Sequence, residues 1–332
     1  MDLDLTEDQR MILDSVRRFA TERLAPNAYA HDAEVGVPRA VYGELAELGL
    51  MGMYVPGDDG GAELDTITGC LVVEELSRQD ASVGALVGLH NGVVLPHVRA
   101  AGDEAKAQWQ DRLIGGEALG AVLPGCADGA YTNHFVLGGD ADLFVGVGDS
   151  ARLFEASAVE VTPIDNPLGL RGARPARVKV EAKGPTYAAQ SRAAIDVHLA
   201  AVAVGIGRGA LEQATSYALE RKQFKRPISD FQAIQWMLAD MATELDAARL
   251  LVHLAAHRTD EGTADASKAR LFATEAATRA AMKAIQIYGG NGFVREFPVE
   301  RFLRDAKTLG TIDGTVDRHR DVIAASLLAA VS

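Results

Sequence analysis

Cysteine is nearly absent. Cys70 and Cys126 are the only two in 332 residues, which excludes a disulfide framework, and neither has metal-ligand spacing. A reducing cytoplasm is the expected setting. Positive charge is also scarce: 33 Lys and Arg stand against 46 Asp and Glu, a formal charge of −13. That is the wrong sign for non-specific attachment to nucleic acid or anionic lipid, so any phosphate must be held by a local patch. The first residues, Met1-Asp2-Leu3-Asp4, lack the basic start of a secretory signal. The longest charge-free stretch, Ala81 to Val98, contains Ser82, His90, Asn91, Pro96 and His97. Those polar groups argue for a buried helix rather than a membrane span. Repeats and low-complexity tracts are missing too.

What is present is ordinary globular composition, 48% hydrophobic and 24% charged, in a length that predicts two or three domains. Residues 1–117 read as helices. Thr6-Glu7-Asp8-Gln9 is a capping box, followed by Met11, Ile12, Val16, Phe19 and Leu24 at helical spacing, with Pro26 closing the helix. Pro38 and Gly49 bracket a second helix, and further runs cover Asp65 to Arg78, Ser82 to Arg99 and Asp103 to Ile114. Residues 118–186 change texture: short apolar runs such as Phe144 to Val147 and Val178 to Glu181 are separated by Gly, Pro and Asp, the punctuation of strands and turns. Residues 187–332 are alanine-rich and helical, over 188–221, 230–260, 264–288 and 312–330. The expected fold is mainly α with a small central β domain, ending in a four-helix bundle.

Several motifs carry chemistry, each with a plainer account beside it. Gly205-Ile206-Gly207-Arg208-Gly209-Ala210 fits a dinucleotide fingerprint, but no βαβ alternation surrounds it, and close helix packing explains the glycines better. His253 and His257 sit four apart without the glutamate of a zinc motif, so a metal site is not expected. Arg221 to Arg226 is a positive patch between two helices, with Ser229 and Gln232 read as the cap of the second. It suits a phosphate or simply complements a helix end, and a buried Phe224 tips the balance toward a site. Gln286 to Phe293 ends a helix in glycines that either admit a ligand or only stop the helix. Asp313 alone reads as an N-cap aspartate.

Together these features resemble the acyl-CoA dehydrogenase family over nearly the whole chain. The match is carried by Leu5 to Arg10, Leu45 to Leu50, Glu74-Glu75-Leu76-Ser77-Arg78, Glu220 to Phe224, Leu238 to Met241, and Gln286 through Ala306. The resemblance implies a flavoenzyme holding FAD, in which Arg221, Gln223 and Phe224 contact the diphosphate of a neighbouring subunit's FAD. Gln286, Gly289 and Gly290 approach its adenosine half. Thr315 also falls on a cofactor-binding position. The implied reaction is α,β-desaturation of an acyl-CoA thioester, with electrons passed to an electron-transfer flavoprotein. Asp313, in Ile312-Asp313-Gly314-Thr315, falls where many members carry a catalytic glutamate. Asp196 is a secondary candidate base, although an exposed helix aspartate is the plainer reading.

The middle segment departs furthest from the family: Leu123 to Asp128 stands for a longer flavin-contacting motif, and only Gly169 to Gly172 survives from its later part. The chain is similar to the short subunit of α2β2 bacterial enzymes of steroid side-chain breakdown, with a homodimer or tetramer as the other assembly. A catalytically silent structural subunit and an acyl-CoA dehydrogenase-like scaffold for non-redox thioester chemistry are the alternatives.

Overall fold

The computed structural model describes residues 4–124, 131–181, 185–189, 192–258 and 263–330. Cys126 and the segment 125–130 lie outside the described residues. The N-terminal part is helical: α1 (Glu7–Phe19), α2 (Ala28–Ala33), α3 (Arg39–Glu47), α4 (Thr66–Gln79), α5 (Ala81–Leu89), α6 (Leu95–Ala100) and α7 (Asp103–Ile114). The capping box at Thr6 forms as expected, with Gln9 reaching back to the Thr6 amide. Gly49 ends its helix in the left-handed region at φ 74°. α5 and α6 are one apolar rod joined by a π-turn at His90–Val94. Among the described residues, this rod and the helix Ala193–Glu220 are the two long and apolar enough to cross a membrane, but 94% and 83% of their apolar windows are buried inside the protein.

The middle part holds two small sheets. β1 (Gly120–Pro124), β3 (Leu143–Val147), β4 (Ser150–Glu155) and β7 (Tyr187–Ala188) form one, with β1 and β3 parallel. β2 (Tyr131–Val136), β6 (Ala176–Val180) and β5 (Glu160–Pro163) form the other, antiparallel throughout. Alternate residues of β6, Ala176, Val178 and Val180, point inward. They meet Leu123, Phe144 and Phe154 in a core of their own.

The C-terminal part is α8 (Ala193–Glu220), a hairpin of β8 (Lys222–Gln223) and β9 (Arg226–Pro227), α9 (Gln232–His257), α10 (Thr263–Tyr288), α11 (Val299–Leu309) and α12 (Val316–Ala329). Two expectations need correcting here. The sequence reading passed over α11, whose apolar face (Val299, Phe302, Ala306, Leu309) is buried among charged neighbours. It also started the last helix at 312, whereas 311–314 turn and α12 begins at Val316. Four of these helices became five because the charge-rich Arg301 to Lys307 masked the apolar stripe.

The glycines at 205–209 are packing residues. A Cβ at Gly205 would stand 2.5 Å from the Glu74 carbonyl oxygen, one at Gly209 would stand 2.4 Å from that of Arg78, and one at Gly207 would meet Leu245 at 2.2 Å. α8 therefore lies backbone-close to α4 on one side and packs on α9 by another. Glu74 and Glu75 reinforce the first contact from below. Arg208 and Arg249 hold Glu74, while Arg17, Arg78 and Arg208 hold Glu75. Burial alone would raise the Glu75 carboxyl, but these cations outweigh it and keep it below the usual range.

Candidate functional site

The functional residues read from sequence fall into two groups at opposite ends of α8. The first surrounds Asp313. Its backbone is left-handed, φ 59°, and its side chain is only 4% exposed. One carboxylate oxygen accepts from Arg192 Nη2, and the other lies 3.5 Å from Arg318 Nη1. The same Arg318 nitrogen is 3.6 Å from Asp196 Oδ1, and His319 Nδ1 is 3.8 Å from Asp196 Oδ2. Asp196 is fully buried, which corrects the expectation of an exposed helix aspartate. Asp313 is not a helix cap either: Thr315, exposed, occupies the N-cap position of α12, without a side-chain capping bond.

Arg270 completes the cluster. It is buried, donating to the carbonyls of Leu199 (3.1 Å) and Leu309 (2.5 Å) and to Thr274 Oγ1 (3.3 Å). Burial brings its guanidinium down to about 10 and raises the Asp196 carboxyl despite the neighbouring arginines. Burial, with Arg270 and Arg318 beside it, pushes His319 down to about 4, so its ring is neutral. The cluster thus sets three arginines against two aspartates. Arg192 Nε, Arg318 Nη1, Asp196 Oδ1 and Asp313 Oδ2 make no hydrogen bond, so the ion pairs are close without being fully satisfied. Sequence reasoning found the two aspartates and missed the cations. The available signal was position: Arg192 lies one turn before Asp196, and Arg318 one turn into the helix after Asp313.

The second group lies at the C-terminal end of α8. Tyr217, one turn before Arg221, stacks on Tyr288 with ring centroids 4.0 Å apart and accepts from Asn291 Nδ2 at 3.0 Å, while Tyr288 donates to the Gln213 carbonyl. This clasp brings Arg221, Gln223 and Phe224 to the same end of the bundle as Gln286, Gly289 and Gly290. All six are exposed. A Cβ at Gly289 or Gly290 would meet nothing within 4 Å, so their backbone is open to a ligand. Phe224 is 86% exposed, which corrects the expectation that it is buried: it sits at the tip of the β8–β9 hairpin. Its ring meets Phe231 edge-on at 6.2 Å, and the Arg226 guanidinium lies 4.2 Å over Phe231. Ser229 does not cap α9, which starts at Gln232 without a side-chain cap. The Ser229 carbonyl instead accepts from Gln235.

From Asp196 to Arg221 the helix rises about 37 Å at 1.5 Å per residue, more than an extended flavin dinucleotide spans. The two groups cannot serve one flavin within one chain. Of the other candidates, His253 is half-buried, and desolvation with Arg249 nearby brings it down to about 4 and holds it neutral; no cluster of three metal-binding side chains occurs among the described residues. Burial also pushes the Cys70 thiol far up, which leaves it inert.

Helical N- and C-terminal parts around two small sheets define a helix–sheet–helix architecture, with an open basic and glycine-rich surface at the C-terminal end of α8. Residues 6–117 match the acyl-CoA dehydrogenase N-terminal domain, and residues 187–328 match the acyl-CoA dehydrogenase C-terminal domain. The chain belongs to the acyl-CoA dehydrogenase family, oxidoreductases acting on CH–CH groups, for which FAD is the expected cofactor. It is 34% identical to a probable acyl-CoA dehydrogenase, YngJ, of Bacillus subtilis, over 99% of this chain and 100% of that one. It is 33% identical to the mitochondrial short-chain specific acyl-CoA dehydrogenase of Bos taurus, over 98% and 91%. Butyryl-CoA dehydrogenase from Megasphaera elsdenii superposes with a TM-score of 0.86 at 27% identity, covering 99% and 100%. The match to YngJ runs over 382 positions, 50 more than the chain's own 332 residues, so at least that many positions have no counterpart here.

Proposed function

We propose that this chain is the subunit of a heteromeric FAD-dependent acyl-CoA dehydrogenase that does not itself abstract the substrate proton, paired in an α2β2 assembly with a full-length chain of the same family. The observation that carries this reading is the pinned Asp313. A general base needs a free carboxylate oxygen within hydrogen-bond reach of the proton it takes. Here one oxygen accepts from Arg192; the other makes no hydrogen bond but faces the Arg318 guanidinium at 3.5 Å, and with the side chain only 4% exposed neither oxygen is open to a substrate.

The opposite end of α8 supports the rest. Arg221, Gln223, Phe224, Gln286, Gly289 and Gly290 form an exposed surface suited to the adenosine diphosphate half of a flavin held by the partner chain. Arg221 supplies charge, Phe224 an apolar face, and the glycines a close backbone approach. FAD, when bound there, supplies the hydride acceptor for desaturation of the acyl-CoA in the partner's site. An electron-transfer flavoprotein is the proposed acceptor and the cytoplasm the proposed location. Lipid or steroid side-chain thioesters are the proposed substrates, on the resemblance to short α2β2 subunits.

The visible spectrum tests the reading. The chain purified alone should carry no flavin, and the same chain co-expressed with a full-length partner should carry it. Asp313→Asn in that complex should leave turnover within about twofold. Stoichiometric flavin in the lone chain, or loss of turnover in the variant, refutes it.

A further inference from the structure

A second polar centre is built into the opposite face of α8 and belongs to neither group. Tyr54 Oη lies 2.7 Å from His198 Nε2. The other ring nitrogen, Nδ1, is 2.7 Å from the Ala194 carbonyl, which can only accept. Nδ1 therefore carries the proton, Nε2 is the acceptor, and Tyr54 is the donor. Burial keeps the imidazole below its ordinary range and the phenol above its own, so the pair stays neutral in this one arrangement. The phenol oxygen retains an unused lone pair.

The surrounding chain is carved to house the pair. A Cβ at Gly69 would stand 1.9 Å from Tyr54 Oη, one at Gly92 would stand 2.2 Å from the His198 ring, and one at Gly88 would meet His198 Cβ at 3.3 Å. A buried polar pair is costlier than apolar packing unless its hydrogen bonds are used. Above it opens a cavity of about 410 Å³, walled by Ile67, Pro96, Ala194 and Ala256, with Asp65, Thr66 and His257 among its lining. That volume lies in the range of small-molecule sites. Each Asp65 oxygen already accepts from Thr68, and the acid's charge disfavours an anion.

We propose that this cavity binds a small, neutral, mainly apolar molecule bearing a hydroxyl group, whose O–H donates to the Tyr54 phenol oxygen that His198 holds in place. Nothing in this site depends on the flavin reading, and the two can fail separately. The test uses cyclohexanol and its non-donating methyl ether, titrated against the full chain by ligand-observed saturation-transfer NMR. Cyclohexanol should bind saturably and about five- to tenfold more tightly than the ether, the worth of one hydrogen bond. Tyr54→Phe should bring the alcohol down to the ether's affinity while leaving the ether unchanged. Ala256→Leu, which fills the cavity, should abolish both. Equal binding of the two probes to the unaltered chain, or binding that survives Ala256→Leu, overturns the proposal even where Tyr54→Phe fails to fold.

Discussion

The β8–β9 hairpin gives a prediction whose magnitude can be worked from backbone angles. Its two-residue turn, Phe224-Lys225, has φ 52° and 68°, the arrangement of a type I′ turn, which favours Asn-Gly. Each residue held there other than glycine or the tolerant asparagine and aspartate costs roughly 1–2 kcal/mol. Replacing both by Asn-Gly recovers about 2–4 kcal/mol of strain. Against this stand about 1 kcal/mol of added unfolded-state entropy from the glycine and about 0.5–1 kcal/mol for the edge contact of Phe224 with Phe231. Little else is lost, because Phe224 is otherwise in solvent. The double variant Phe224→Asn, Lys225→Gly should therefore be more stable than the parent by about 1–2 kcal/mol, which for a chain of this length is about 1–3 °C in Tm. Urea titration and calorimetry of the lone chain measure this directly. The same variant should retain flavin less well in complex with a full-length partner, because the aromatic tip and a cation are gone. A turn strained for a purpose gains stability and loses function together. An unchanged or lower midpoint would show that the turn stores no strain and would sink the reasoning.

Three further outcomes follow from buried groups. Glu74→Ala leaves Arg208 and Arg249 facing a vacant carboxylate position between α4, α8 and α9, and should cost about 3–5 kcal/mol in chemical denaturation, the usual penalty for one orphaned half of a buried pair. Gly205→Ala forces a methyl against the Glu74 carbonyl oxygen at 2.5 Å; since backbone cannot yield as a side chain can, a loss of about 1–3 kcal/mol or more is expected, readable as a lower Tm. Acidification should destabilise the chain between pH 6.5 and 4: His90, His253 and His319 are depressed to about 4 and His97 and His198 are also lowered, chiefly by burial, so the unfolded chain takes up protons first. Asp196 and Asp305, raised by burial, act in the opposite sense, but five imidazoles outweigh two carboxyls; a Tm that rises from pH 6.5 to 4.5 would contradict this.

The helical frame was legible because its signals are local. The Thr6 capping box, the Asp103–Ile114 helix and the texture change near 118 each follow from spacing within a dozen residues. The close packing read into Gly205 to Gly209 was legible for the same reason, since small residues one turn apart make one smooth face. Two kinds of feature were not. The hairpin at 222–227 was invisible because its turn residues, Phe and Lys, are ones that turn chemistry disfavours; the strain hid the element. The ionic cluster as a whole was not legible because Arg192 and Asp196, Arg270, and Asp313 and Arg318 come from three separate segments, and only the packing of α8 against α10 and the start of α12 brings them together.

The burial of Asp313 gains its meaning from the length of α8. Were the two groups of functional residues near each other, a pinned carboxylate beside an intact cofactor surface would read as one damaged site. Separated by about 37 Å of helix, they are independent, and in the proposed assembly the end carrying Arg221 serves another chain's flavin whatever happens around Asp196. The charges at the two ends point the same way. At the Asp313 end the two candidate carboxylates, Asp196 and Asp313, are buried and face arginines. At the other end Arg221, Lys222 and Lys225 remain exposed on a protein of net charge −13. A chain that keeps a strained, exposed cationic tip while sealing its own carboxylate has the electrostatics of a subunit that assists a neighbouring site.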